Sequence, residues 1–343
     1  MLDKPDLADP RVVECVRAWW GLPAAGVGFL ALGADKDAAV YRVEAGDRYF
    51  LKLRRGGVAE PGLAVARFLA DRGVREVIGA IPTRDGPLWA EVDGYAAVLY
   101  PFVEGGNAFE CEMSDRHWVE FGAALRAVHA AELPPALAGR VPRQSYAPLW
   151  RDATLGFLVT ARQGVPEEPV AARLAELLTA QAEQIRHLVA RAESLARVLR
   201  DRPPRLVLCH SDIHAGNVLI TRAGTLHLVD WDEPVFAPRE RDLMFVGGGV
   251  GGIWHSQRET ELFYRGYGPV EVDPVALAYC RYERIVRDIA EFCQELFRTE
   301  GGIANRERRL QKLAQAFLPG DVIDIAVRTE DTLPAELRSR QRQ

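Results

Sequence analysis

Three side chains that carry oxygen, Asp212, Asn217 and Asp230, lie on one short stretch of this chain. It reads LVLCHSDIHAGNVLI, turns at Arg222-Ala223-Gly224, and continues as TLHLVDWD. Two apolar segments, Leu206 to Cys209 and Leu226 to Val229, read as short strands that each deliver an Asp where the strand ends. Between them a loop holds Asp212 and, five residues on, Asn217. Phosphoryl transfer from a nucleoside triphosphate needs such a set: a carboxylate facing the acceptor hydroxyl, and two oxygen ligands that hold magnesium on the phosphates. A polar loop after one strand is common. A second strand that ends in an Asp at the matching place makes chance a poorer account.

A lysine elsewhere completes the set. Lys52 stands in the middle of the apolar strand Tyr49-Phe50-Leu51-Lys52-Leu53. A charge there is costly to bury unless an anion meets it, and nucleotide phosphates would do so. An edge-strand lysine that discourages aggregation is the plain alternative. Glu60 is the only acid between Lys52 and Asp71. It is therefore either the partner that holds the lysine or an acid favoured by the dipole at a helix start. The turn from Gly33 to Ala38 would lie over the phosphates through backbone amides, although it has one glycine and no Gly-x-Gly-x-x-Gly. Tyr100 to Val103, with Phe102 inside it, would offer backbone groups to the adenine edge or serve as a hinge.

The elements that must position these residues divide in two. Residues 9 to 21 have the apolar face of a short helix, and strand patterns follow at Gly26 to Leu32, Ala39 to Glu44 and Tyr49 to Leu53. A helix is predicted from about Pro61 to Arg72, then strands at Pro87 to Val92 and Tyr95 to Tyr100 around the hairpin signal Asp93-Gly94. Five strands and one main helix make residues 1–100 a small β-rich lobe, with 101–105 (Pro-Phe-Val-Glu-Gly) as the link. Residues 106–343 read as a larger helical lobe, and the fold class is α+β. One long helix is expected from about Val170 to Arg200, with apolar residues four and three apart. Core packing explains that stripe better than a coiled-coil dimer, because Gln181 and Ala192 weaken the seam.

Composition narrows the class. A chain of 343 residues suits two lobes sharing a cleft better than one small core. Net charge is −5, which argues against a nucleic-acid partner and is compatible with a cationic substrate. Apolar runs are far shorter than the roughly 20 residues of a membrane span, and the N-terminus lacks a secretory pattern. The five scattered cysteines fit reduced thiols in a cytoplasm. Cys209, beside His210, reads as a small core residue because no metal-ligand spacing accompanies it.

With Lys52, Pro101 to Gly105, HSDIHAGN and LVDWDEP in this order, the chain resembles the aminoglycoside phosphotransferase family of small-molecule kinases. Its likeness within that family is to the spectinomycin phosphotransferases, through HSDIHAGN, VDWDEP, Pro238 to Leu243 and Tyr282 to Val286. The resemblance implies a bilobal protein-kinase-like fold, ATP as co-substrate and Mg2+. It makes Asp212 the catalytic base, Asn217 and Asp230 magnesium ligands, and Asp232 a second acid at the metal. Asp242 would brace the loop, and His210 would be structural. Departures from protein kinases inform the substrate. Ser211 replaces the Arg that binds a phosphorylated activation loop, and only eleven residues separate Asp230 from Asp242, too few to dock a peptide.

A small hydroxylated acceptor is therefore expected. In this family the helical lobe binds it, and Asp288 and Glu291 are candidates to steady ammonium groups. They fit equally well a solvated face with Arg284, Arg287 and Arg298. The resemblance implies phosphorylation of a hydroxyl of spectinomycin or a related aminocyclitol. Alternatives are a metabolic kinase acting on choline, homoserine or methylthioribose, and a pseudokinase-like module that only holds nucleotide.

Overall fold

The computed structural model describes residues 4–32, 37–164, 168–248, 253–298 and 302–338. The chain forms two compact units. One comprises Met1–Arg143, Leu208–Phe236 and Leu262–Gly268; the other comprises Gln144–Val207, Ala237–Glu261 and Pro269–Gln343. These units cut across the division at 101–105 expected from the order of strands and helices, because the segment carrying Asp212 and Asp230 belongs to the first.

The first unit opens with helix α1 (Asp9–Trp20), which buries Val12, Cys15, Val16 and Trp20 and stops at Gly21 in the left-handed region. Strands β1 (Gly26–Leu30), β2 (Ala38–Ala45) and β3 (Asp47–Arg55), helix α2 (Glu60–Asp71), and strands β4 (Ala90–Val92) and β5 (Tyr95–Pro101) follow. The strands form one antiparallel sheet in the order β1-β2-β3-β5-β4. Alternation explains why: Tyr41, Val43, Leu51, Leu53, Ala97 and Leu99 turn to one face and fill a core against α1. Asp93 (φ 48°) and Gly94 (φ 81°) both take positive φ, as the two-residue β4–β5 hairpin requires.

Strand β6 (Gly105–Asn107) comes next, then helices α3 (Asp115–His129) and α4 (Pro135–Ala138). Ser114 and His117 close a capping box at the start of α3. Residues 105–107, expected in the linker and the helical lobe, pair instead with a later strand. Gly105 meets the carbonyl of Ile220 so closely that a Cβ there would overlap it.

The second unit is helical. It contains α5 (Leu149–Gln163), α6 (Pro169–Ala180) and α7 (Ala182–Asp201). The single helix expected over 170–200 is thus two, parted at Gln181 (φ −96°, ψ 8°). The apolar stripe nevertheless runs through both: Leu174, Leu178, Ile185, Leu188, Ala192, Leu195 and Leu199 are all buried. Strands β7 (Val207–Cys209), β8 (Val218–Thr221), β9 (Leu226–Leu228) and β10 (Val235–Ala237) carry the chain past the polar loop, and residues 208–236 among them belong to the first unit. Helix α8 (Glu240–Leu243) and helix α9 (Gln257–Tyr267) lead to α10 (Pro274–Phe297), followed by α11 (Ile303–Gln315) and α12 (Val322–Thr329). Helix α10 packs against α5 and α7 and is buried along most of its length. Its Glu283 meets Arg151 at 2.6 Å, and burial pushes that carboxyl above the usual range, which the arginine only partly reverses. The architecture is a small antiparallel-sheet lobe at the N-terminal end and a larger helical lobe at the C-terminal end. Among the described residues no helix is long and apolar enough to cross a membrane.

Candidate active site

The site grows from one ladder. Strand β8 pairs antiparallel with β9, Val218 opposite Leu228, through the turn that Gly224 (φ 74°) closes. Extending that register, the Val229 N–H donates to the Asn217 carbonyl at 3.0 Å. Asn217 and Asp230 therefore leave the same end of the hairpin. Strand β6 lies on the other side of β8, and the Ala108 N–H donates to the carbonyls of Ala215 and Val218. The polar loop is clamped from both edges.

Within the loop, side chains brace the backbone. Asn217 Nδ2 donates to the Asp212 carbonyl at 2.8 Å and lies 3.4 Å from its Oδ2. His210 is fully buried, accepts the Asp212 N–H on Nδ1 at 3.3 Å and so donates from Nε2 to the Val229 carbonyl at 3.0 Å. The Trp231 ring tilts against it with centroids 4.5 Å apart, and the Trp231 indole N–H donates to the Leu228 carbonyl at 3.0 Å. The Ser211 hydroxyl donates to the Glu233 carbonyl at 2.6 Å. Ser211 (φ 74°) and Asp230 (φ 66°) both occupy the left-handed region, which side chains other than Gly rarely adopt. Such backbone is kept where surrounding bonds over-determine it.

Lys52 is brought to this loop from β3. Its ammonium lies 3.0 Å from Asp232 Oδ2 and 3.3 Å from Asp230 Oδ1. Burial alone would pull the Lys52 pKa down, but the two carboxylates more than offset it, so the ammonium is held charged far above neutral pH. Arg54, two residues along the same face of β3, approaches Asp232 at 3.5 Å. A small pocket here is lined by Lys52, Arg54, Val58, Leu63, Val98, Tyr100 and Asp232. Burial raises the Tyr100 phenol well above its ordinary value. Arg54 escaped the sequence reading, although its spacing of two from Lys52 was the available signal.

The other candidates fall as follows. The Lys52–Glu60 pair does not form: Glu60 accepts from the Trp89 indole at 3.1 Å and meets Arg140 at 2.6 Å. Those partners are remote in sequence, so elimination among nearby acids could not find them. Phe102 sits under the Arg48 guanidinium at 5.4 Å, and its N–H donates to the Arg48 carbonyl at 3.2 Å. Gly33 lies outside the described residues. Asp288 and Glu291, on α10, pair with Arg284 at 2.8 Å and Arg287 at 2.7 Å one turn earlier, the solvated-face arrangement. Phe263 and Tyr267, on α9, are buried in aromatic packing with Phe121 and His129. No sequence motif marks Gly62. A Cβ there would overlap the Trp231 carbonyl oxygen, so α2 rests directly on the backbone between Asp230 and Asp232.

This arrangement can hold an anion with Lys52, offer hard oxygen donors to a divalent cation, and present a carboxylate to a hydroxyl. Residues 28–280, well over half the chain, match the "Phosphotransferase enzyme family". The solved spectinomycin phosphotransferase APH(9)-Ia, in complex with ADP and spectinomycin, is 32% identical with a TM-score of 0.87, over 95% of this chain and 99% of that one. Choline kinase LicA from Streptococcus pneumoniae, 14% identical with a TM-score of 0.54 over 89% of this chain and 98% of that one, shares the fold. Protein StrN from Streptomyces griseus is 25% identical over 207 residues, 58% of this chain. The chain spans 63% of StrN's length, less than two thirds.

Proposed function

This chain belongs to the phosphotransferase enzyme family and is a small-molecule kinase with an alcohol acceptor, and from that premise we propose that it transfers the γ-phosphoryl group of ATP to a hydroxyl of spectinomycin or a closely related aminocyclitol, an antibiotic-resistance activity. The observation that carries this acceptor is the likeness, along nearly the whole of both chains, to a protein solved with ADP and spectinomycin.

Asp212 accepts a hydrogen bond from the acceptor hydroxyl and aligns it for in-line attack, while Asn217 holds the Asp212 backbone in place. Lys52 fixes the triphosphate, and its ammonium stays charged throughout the working pH range. Asn217, Asp230 and Asp232 would hold Mg2+ through their side-chain oxygens, and the bound ion would supply neutralisation of the phosphate charge. Lys52 and Arg54 meanwhile keep the Asp230 and Asp232 carboxylates gathered. A cationic acceptor is consistent with the acidic chain, net charge −5.

The test is ADP release by the purified protein across spectinomycin, other aminoglycosides, choline and amino alcohols, with the product identified by mass spectrometry. Phosphorylated spectinomycin is the expected product. Turnover with choline alone removes the resistance reading, and silence with every acceptor favours a nucleotide-holding module.

A further inference from the structure

His214 stands two residues beyond Asp212, outside the groups that hold nucleotide or face the acceptor hydroxyl. Four observations on this ring point the same way. The Gly216 N–H donates to His214 Nδ1 at 2.9 Å, so Nδ1 presents its lone pair and the neutral ring carries its hydrogen on Nε2. Nε2 lies 3.6 Å from Asp212 Oδ2. A Cβ on Gly216 would come within 2.7 Å of the His214 ring, so the loop leaves side-chain space there for the imidazole. On another side the Phe109 ring packs against it, centroids 6.1 Å apart. Phe109 is seated by strand β6, whose Asn107 side chain accepts the Phe109 N–H at 3.0 Å.

We infer that His214 is a positioning residue for Asp212: a neutral imidazole, fixed by Gly216 and Phe109, aims its Nε2–H at the carboxylate and turns it toward the acceptor hydroxyl. This rests on the phosphotransfer reading above. At 3.6 Å the contact is too long for a hydrogen bond, and it tightens when the acceptor draws the carboxylate into line, as catalytic contacts often do on substrate binding. Asn217 approaches the same Oδ2 at 3.4 Å, so two N–H donors flank one carboxylate oxygen. A donor held this way orients a general base without taking its proton.

The test has two arms. Nitrogen-15 NMR of histidine side chains above neutral pH, assigned with His214→Gln, is expected to show His214 as the Nε2–H tautomer, with its Nε2 resonance moved by Asp212→Asn. An Nδ1–H tautomer, or no response to Asp212→Asn, overturns the inference whatever the acceptor is. In the kinetic arm His214→Ala is expected to lower kcat about ten- to a hundredfold, leaving KM for ATP and calorimetric ADP affinity near wild type. His214→Gln, which keeps an N–H donor, is expected to recover part of the loss. In an Asp212→Asn background the His214→Ala change is expected to cost little more, because the two act as a unit. An unchanged kcat, an equal further loss in that background, or a parallel loss of ADP affinity overturns it. Wild-type protein silent with every acceptor would sink the phosphotransfer reading, a failure distinct from that of the His214–Asp212 contact, which the NMR arm decides by itself.

Discussion

Replacing Gly62 with Ala puts the packing between α2 and the Asp230–Asp232 segment to the test. The added methyl would overlap the Trp231 carbonyl oxygen and sit 3.0 Å from its carbon and 3.3 Å from the Asp232 Cα. Carbon atoms pack comfortably at about 3.5–4.0 Å, so helix or segment must retreat by roughly 1 Å. The neighbour is backbone, and backbone cannot swing aside as a long side chain can. Overpacking of this kind costs about 1–3 kcal/mol, against which Ala recovers at most about 1 kcal/mol of helix propensity over Gly. The net expectation is a loss of about 0–3 kcal/mol in stability. The kinetic effect is larger, because a shift of about 1 Å at Trp231 carries Asp230 and Asp232 with it, and such misplacement can cost about a hundredfold in rate. Urea unfolding and steady-state turnover with ATP and spectinomycin measure the two separately. A Gly62→Ala protein more stable than wild type with undiminished kcat would refute the reasoning, since α2 would then have room to spare.

Three further outcomes are expected. Asp212→Ala should lower turnover by about a hundred- to ten-thousandfold and leave ADP affinity, read by calorimetry, intact; near-normal turnover would strip the residue of its role. Glu283→Ala should destabilise the chain by about 1–3 kcal/mol, because it removes the 2.6 Å partner of the buried Arg151, which keeps Glu193 at 3.1 Å; denaturant unfolding reads the loss, and the double change Arg151→Met with Glu283→Leu should recover much of it. Glu168 caps α6 through the Ala171 N–H and meets Arg306 at 2.8 Å, and that guanidinium holds its carboxyl below the ordinary 4.5. A lowered folded-state pKa gives stability that is present above 4.5 and fades as the pH drops through the folded-state value. Glu168→Gln keeps an oxygen for the cap and removes only the charge that Arg306 meets, so it should cost about 0.5–1.5 kcal/mol at neutral pH, and the gap from wild type should narrow in acid melts.

What the sequence made legible was periodic or locally forced. Alternation along Tyr41, Val43, Leu51 and Leu53, and the Asp93-Gly94 pair, needed no knowledge of remote partners. The order of Lys52, Asp212, Asn217 and Asp230 was likewise visible, and the expected fold class is the one found. What escaped depends on contacts between distant segments. Gly-Gly-Asn at 105–107 has no strand pattern and pairs because a glycine lets the Ile220 carbonyl come near. Glu60 finds Arg140 and Trp89 rather than Lys52, because the carboxylates of Asp230 and Asp232 have taken the lysine. Gln181 divides a helix whose apolar stripe is continuous across the break, and stripes do not reveal such bends.

The positive φ angles of Ser211 and Asp230 also restrict which variants of this loop can exist. A randomised library would discard Val, Ile and Thr at either position on backbone grounds alone, before any chemistry was sampled. Gly and Asn would survive most readily at 211, and Asn at 230 would preserve the bend while deleting a charge. Sequencing the folded fraction and the active fraction of such a library would therefore tell geometry apart from electrostatics, position by position.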